Sequence, residues 1–386
     1  MVSGPSQQRS IAFFYISTML FWASMYLYLP ILSVHAENLG ASMGLVGTIV
    51  GAYGFTQFLV RVPMGILSDR IGATKPFIVA GLVAAALGAL GLALSSDPVW
   101  LVVWRGLSGV GAAAWVDFTI LFSSYYAPNK MTRAMGYATF VSGLSQVVAS
   151  FAGGLAAQEW GWTAPFWGAA ALGLMALVPA MGMTEKPPAV RRKNTTRELM
   201  HVVTVPLLLV ASIAAMLGSW TQWATANGFS LVYAAGLGAG GADLAMLTNV
   251  MQVAFTVLTL LSSHIADRFG LRGATAFGMA LQGISALMVP AVHSLPLIAL
   301  SQGFCGAGRG LSYPLLMSMS IKSVRPADRA TAMGIFQAVY AFGMFAGPAS
   351  TGVIADGFGL LSVFVIAGLV SLAGAVLVVA RVPSQD

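Results

Sequence analysis

The chain has 386 residues, 58% of them hydrophobic and 8% charged, with a mean hydropathy of +0.83. A soluble domain runs at about 45–50% apolar and about 25% charged residues, so these proportions exclude a water-soluble core and point to a bilayer as solvent. The net charge of +7 raises nucleic acid as a partner, which the placement of the charges argues against below, and the single cysteine, Cys305, excludes an internal disulfide framework.

In chain order, hydropathy predicts twelve spans: 10–35, 43–66, 76–95, 98–123, 134–157, 163–183, 203–231, 243–265, 274–292, 295–320, 331–354 and 360–381. The first run is too long for the apolar region of a signal peptide and lacks a small-residue cleavage site, so no cleavable leader is expected. Gly and Ala recur within the spans, as close helix approach in lipid requires. Trp100, Trp160 and Trp162 fall at expected boundaries, where an interfacial belt would sit. The longest polar interruption, TEKPPAVRRKNTTRELMH from Thr184 to His201, divides the chain into residues 1–183, a linker 184–201, and residues 202–386. Its basic run is expected near anionic headgroups.

The charges orient the spans. All nineteen Lys and Arg except Arg61, Arg105 and Arg309 fall on the side of the two termini, while the opposite loops hold Glu37, Asp97, Glu159, Asp243 and Asp356. By the positive-inside rule both termini are cytoplasmic. The net charge therefore reports topology, and no basic stripe interleaved with aromatics supports a nucleic-acid partner.

The polar hinge GILSDRIGATK, Gly65 to Lys75, returns as SSHIADRFGLR, Ser262 to Arg272. Asp69-Arg70 and Asp267-Arg268 are 267 − 69 = 198 residues apart, and the same offset relates Trp22 to Trp220, Gly40 to Gly238, Gly72 to Gly270 and Gly161 to Gly359. An offset of 197 relates Gly106, Gly109 and Gly111 to Gly303, Gly306 and Gly308. A near-constant offset along most of the chain predicts two homologous six-span halves. Gly72 is expected at φ > 0, where glycine has no steric cost. Asp69 can cap a helix N-terminus, or the hinge is a solvated turn with a local salt bridge.

These residues resemble the major facilitator superfamily, and most closely its twelve-helix bacterial efflux branch. Gly65, Asp69, Arg70, Gly72 and Lys75 match that family's signature between helices two and three, with Ala73 and Thr74 replacing its usual basic pair. RGLSGVG, Arg105 to Gly111, is similar to the helix-four motif of proton-coupled members. The resemblance implies an all-α membrane fold of two pseudo-symmetric six-helix bundles. It also implies a cytoplasmic latch between Asp69 and the start of helix eleven near Thr331, with Gly65, Arg70, Gly72, Lys75, Asp267, Arg268 and Gly270 as further gate residues. Ser123-Ser124 stand where many relatives place an acid to pair with the signature Arg, and the first span lacks the acid that efflux relatives often use for coupling.

Four ionisable residues fall within or at the edge of spans: Arg61, Arg105, Asp117 and Arg309. Charges there are costly and normally functional. Arg61 can equally snorkel to the interface. The resemblance implies proton coupling or substrate contact for Arg105, and a structural bond to first-span carbonyls is the alternative. Asp117 lies about 18 Å along the helix from Arg105, so it needs another partner, a cation or a proton; it is the second candidate for coupling or substrate contact, or else a protonated or Ser-bonded structural acid. Arg309, between two glycines, suits a carboxylate or phosphate, or an anchor between helices ten and eleven. Because the family's helices one, four, seven and ten line its cavity, Trp22, Tyr26, Trp115, Trp220, Gln222, Trp223, Asn227 and Tyr313 are candidate wall residues, joined by Gln337 and Tyr340.

No metal-spaced Cys/His/acid cluster, P-loop or GxSxG elbow occurs, so neither an enzyme nor a cofactor or metal is expected. The expected protein is a monomeric carrier in the cytoplasmic membrane, exporting drugs or metabolites against protons by alternating access. Uptake of an anionic metabolite or sugar, and a non-transporting sensor or lipid-handling protein on the same fold, are the alternatives.

Overall fold

The computed structural model describes residues 5–126, 128–185, 202, 204–322, 324–325 and 328–383; the expected linker falls mostly outside them. Among the described residues the chain is helical, without strands. Twelve long helices follow one another: α1 Pro5–Tyr26, α2 Met43–Ile71, α3 Lys75–Leu94, α4 Pro98–Ser123, α5 Pro128–Trp160, α6 Ala164–Gly182, α7 Pro206–Gly236, α8 Gly241–Phe269, α9 Leu271–Met288, α10 Leu295–Lys322, α11 Arg329–Phe358 and α12 Leu360–Arg381. Ten are long and apolar enough to cross a bilayer by composition. The other two, α1 and α10, have the length, at 22 and 28 residues, but Gln7, Gln8 and Arg9 in one and Gln302 and Arg309 in the other dilute their hydropathy.

The first span is shorter than expected. Helix α1 ends at Tyr26 instead of running to 35, and a short helix, Leu32–Asn38, follows a turn. Pro30 is the cause: it removes a backbone donor and disfavours helical geometry at Leu29. Two other helices are interrupted. Helix α4 breaks at Ala114, and α7 passes through a π-helical turn at Thr225–Phe229, where the Ala226 carbonyl accepts a hydrogen bond from Gln302 Nε2 at 3.3 Å. Such turns free backbone groups that a neighbour must satisfy.

Helix packing repeats between the halves. Helix α1 packs on α5 and α6 as α7 packs on α11 and α12; α2 and α3 flank α4 as α8 and α9 flank α10; and α3 meets α6 as α9 meets α12. The halves join through α2 against α11 and α5 against α8, a pairing that the same exchange maps onto itself. All six positive-φ glycines obey the offset, since 238 − 40, 270 − 72 and 359 − 161 each equal 198.

The start of α1 and the end of α12 lie at one end of the bundle, the terminal end, because an even number of spans returns the chain to the side it left. At the far end the halves are in intimate contact: a Cβ at Gly47 of α2 would stand 2.0 Å from the Pro348 carbonyl of α11, and one at Gly154 of α5 would stand 2.4 Å from Gly241 O of α8. Only glycine permits this approach. Toward the terminal end, a Cβ at Gly65, Gly136 or Gly334 would meet nothing within 4 Å. Outward-facing apolar side chains such as Phe140, Val178, Leu260 and Val376 remain exposed, as a lipid-facing coat requires.

Candidate functional site

Three arginines lie in the interior, on three different helices. Counted from the far ends of their helices, Arg105, Arg309 and Arg61 sit at depths of about 10, 21 and 27 Å at 1.5 Å per residue. Arg105 is 1% exposed; it donates to the Tyr28 hydroxyl at 2.9 Å and lies 4.4 Å from the Tyr53 ring centroid. Arg309 donates to the Tyr340 hydroxyl at 2.9 Å and lies 4.3 Å from the Phe255 ring centroid. Arg61 donates to Gln57 Oε1 at 2.6 Å and, across the two halves, to Gln337 Oε1 at 3.1 Å. Gln337 in turn donates to the Tyr313 hydroxyl at 3.2 Å.

The guanidiniums are thus held by phenols, amides and ring faces. A desolvated cation over an aromatic ring gains about 2 kcal/mol. Arg309 anchors α10 to α11, one of the two arrangements open to it from the sequence. Arg105 bonds a tyrosine beyond the end of α1, not helix-one carbonyls.

Aromatic rings surround these charges. Tyr53 stacks on Trp223 across the halves at 5.4 Å, and Trp22 meets Trp115 edge-on at 5.3 Å and Tyr26 at 6.0 Å. The Nε1 atoms of Trp22 and Trp223 are buried without a hydrogen-bond partner. Trp22, Tyr26, Arg61, Trp115, Arg309, Tyr313 and Gln337 keep intermediate exposure, so the interior they share is accessible. Trp220 also keeps intermediate exposure, and Gln222 Oε1 and Asn227 Oδ1 are buried without a hydrogen-bond partner. Trp220 presses its backbone on Gly347 of α11, Gln222 faces Met251 with an Nε2–Sδ distance of 4.0 Å, and Asn227 lies buried in the π-helical turn.

Asp117 stands apart from the arginines. It is 0% exposed and accepts a hydrogen bond from Ser68 Oγ of α2 at 2.6 Å, one residue before Asp69. Gly72 closes α2 at φ 71°, the left-handed conformation expected. The start of α3 and the end of α6 then cap each other. Glu185 accepts from the Thr74 amide, the Thr74 hydroxyl at 2.8 Å and the Lys75 amide, while Lys75 Nζ donates to the carbonyls of Met181 and Met183 at 2.6 and 3.0 Å. An acid at a helix N-terminus and a base at a C-terminus both complement the macrodipole. The side chain of Asp69 lies outside the described residues; Arg70, Asp267 and Arg268 are exposed, with Arg268 beside the Phe269 ring. Gly270, at φ 77° and ψ 149°, joins α8 to α9 directly, so the second hinge has a different turn from the first.

At the far end each half caps the other. Asp356 of α11 accepts from the amides of Met43 and Gly44 at the start of α2, and Gln158 of α5 accepts from the Ala242 amide at the start of α8 at 3.4 Å. Between these caps and Arg61, Gln252 Nε2 of α8 donates to Gln146 Oε1 of α5 at 3.0 Å.

Tyr28, Tyr53, Gln57 and Phe255 were not among the residues expected from sequence. A signal for two of the positions exists: Tyr53 and Gln57 precede Arg61 at intervals of four residues, which places all three on one helical face. No metal-binding group of His, Cys, Asp and Glu occurs among the described residues.

The comparisons agree with this architecture. The Major Facilitator Superfamily model matches residues 14–231 and 208–386. The inner membrane transport protein YajR of Escherichia coli (strain K12) is 37% identical over 145 residues, which is 37% of this chain and 31% of YajR, so the match spans about a third of that relative. The multidrug resistance protein Stp of Mycobacterium tuberculosis (strain CDC 1551 / Oshkosh) is 22% identical over 364 residues, 79% of this chain and 67% of Stp. Among solved structures, the nucleoside transporter NupG superposes with a TM-score of 0.79 at 15% identity, covering 99% of this chain and 100% of NupG. Paired six-helix halves, an accessible polar interior and a family match along nearly the whole length lead to one assignment: the chain belongs to the Major Facilitator Superfamily of membrane transporters.

Proposed function

We propose that the protein is a secondary carrier of the cytoplasmic membrane that exports a small organic solute by alternating access, with both termini in the cytoplasm. The observation that carries this reading is the uneven fit of the halves: backbone contact at the far end, open space beside Gly65, Gly136 and Gly334 at the terminal end, and an accessible polar interior between. Far-end closure with terminal-end separation is an inward-open state, and rocking the halves about the interior would reverse it. The resistance function named for Stp favours export.

Proton coupling is part of the proposal, with Asp117 as the exchanging acid and Arg105 as its helix-four companion. Protonating Asp117 weakens its hold on Ser68, and so on the end of α2 beside the Asp69-Arg70 hinge. The latch of Asp69 on the start of α11 would then form only when the terminal end closes. Everted vesicles with an acidic lumen and a lumenal pH dye test the scheme. A transported solute should discharge the proton gradient with wild type and fail to do so with Asp117→Asn. Solute flux that ignores the gradient overturns the coupling, and no flux of any solute overturns the carrier.

A further inference from the structure

Three positive charges share the interior, and among the described residues no negative charge lies beside them. Apart from Asp117, the described acids lie at helix ends or in connections, and Asp117 is bonded to Ser68 instead, about 18 Å along α4 from Arg105. Among the described residues no carboxylate comes within ion-pair distance of Arg61, Arg105 or Arg309. Unpaired cations inside a membrane protein are costly, and such charges mark ligand pathways.

The neutral partners leave donors over. A guanidinium presents five N–H groups, and the Nε atoms of all three arginines are buried without a hydrogen-bond partner. The indole N–H groups of Trp22 and Trp223 are likewise unpartnered. Arg105 lies over Tyr53, which stacks on Trp223 of the other half, and Arg309 lies 5.7 Å from the ring of Tyr313, whose hydroxyl accepts from Gln337, the partner of Arg61. Around them the rings of Trp22, Trp115, Tyr53 and Trp223 offer apolar area.

We propose that this site takes an amphipathic organic anion, its carboxylate or phosphate group between Arg105 and Arg309 and its apolar body against Trp22, Trp115 and Trp223. This rests on the carrier reading above and names its substrate class. The arginine fork matches an oxyanion through paired, charge-assisted hydrogen bonds. A lipophilic cation entering the same space would meet three like charges. Arg61, nearer the open end, adds attraction along the route of entry.

The test uses the full chain in detergent free of anionic lipid, with three probes that share an aromatic body or its bulk: 1-naphthoate, 1-naphthamide and tetraphenylphosphonium. Equilibrium dialysis should show saturable binding of the carboxylate at least about ten-fold tighter than of the amide or the cation. Arg309→Gln should abolish that preference, whereas Arg309→Lys, which keeps the charge, should retain most of it. Equal or tighter binding of the cation to wild type overturns the proposal without recourse to any variant. Displacement of naphthoate by added phosphatidylglycerol, with no naphthoate flux in phosphatidylcholine vesicles, assigns the arginines to a lipid headgroup and overturns it as well. Flux of the cation but not the carboxylate overturns the anion site and leaves the carrier standing. Carboxylate binding with no flux of any probe supports the anion site while counting against the carrier.

Discussion

The carboxylate of Asp356, two residues before the end of α11, accepts a hydrogen bond from the amide of Gly44 at 2.9 Å and another from Met43 at 2.8 Å. The first amides of a helix lack intrahelical partners, and its positive dipole end favours an anion. Gln158 and Ala242 repeat the contact in the other half, since 356 − 158 and 242 − 44 both equal 198. One far-end seal is therefore charged and the other neutral. Asp356→Asn should weaken closure by about 0.5–1 kcal/mol, an exposed charge–dipole contact, raising the far-open population about two- to five-fold. Gln158→Glu should act in the opposite direction. Electron–electron distances between spin labels on cysteines introduced at the far end would read both, because Cys305 is buried and leaves little background.

Gly47 and Gly65 lie on the same helix and should respond oppositely to a methyl group. At Gly47 the added carbon would collide with the Pro348 carbonyl, whereas at Gly65 it would meet open space. Gly47→Ala should disfavour far-end closure by about 1–3 kcal/mol. Gly65→Ala should leave the present arrangement intact and act only when the terminal end closes. Labels at both ends of the bundle would distinguish a uniform loss of folding from these opposed shifts.

The Ser68–Asp117 bond is buried, so its loss is a stability test as well as a coupling test. Asp117→Ala leaves the Ser68 hydroxyl without its nearer acceptor, the Ala73 carbonyl standing off at 3.3 Å, and should cost about 1–3 kcal/mol in thermal or denaturant unfolding. Asp117→Asn keeps a hydrogen-bonding side chain and should fold nearly as wild type. Wild-type coupling in a well-folded Asp117→Asn protein would reduce Asp117 to a structural anchor.

His35, in the connection between α1 and α2, is 5% exposed and packs on Phe166 with ring centroids 5.0 Å apart. Burial lowers its pKa, so the folded chain excludes a proton that the unfolded chain accepts. Stability should then fall as pH drops below about 6.5, by at most about 1.4 kcal/mol per pH unit, and level off below the folded-state value. Unfolding midpoints measured from pH 7.5 to 5 should show this slope in wild type and lose it in His35→Phe.

Much of the architecture was written locally. Twelve apolar runs predicted twelve long helices, most with ends within a few residues, because spanning helices satisfy their own backbone and need only length and apolar composition. The repeat was equally legible: the paired glycines 40 and 238, 72 and 270, and 161 and 359 occupy positive-φ turns, a conformation that glycine alone adopts freely. The exception, the early end of α1, also had its cause in the sequence at Pro30.

Pairings across the bundle were not legible, because partners far apart in sequence meet only through helix rotation and tilt. A serine could be named as one possible partner for Asp117, but nothing in the sequence singled out Ser68 on α2. Arg309 could be read as an anchor or an anion site, and the fold made it an anchor to Tyr340 while leaving its Nε unpartnered. The sequence by itself determined the solvent, the number of helices and their duplication, all properties of local composition and period. Only the tertiary structure decided that three arginines share one interior with no acid beside them among the described residues and that Asp356 seals α2, because those facts depend on which helical faces pack together.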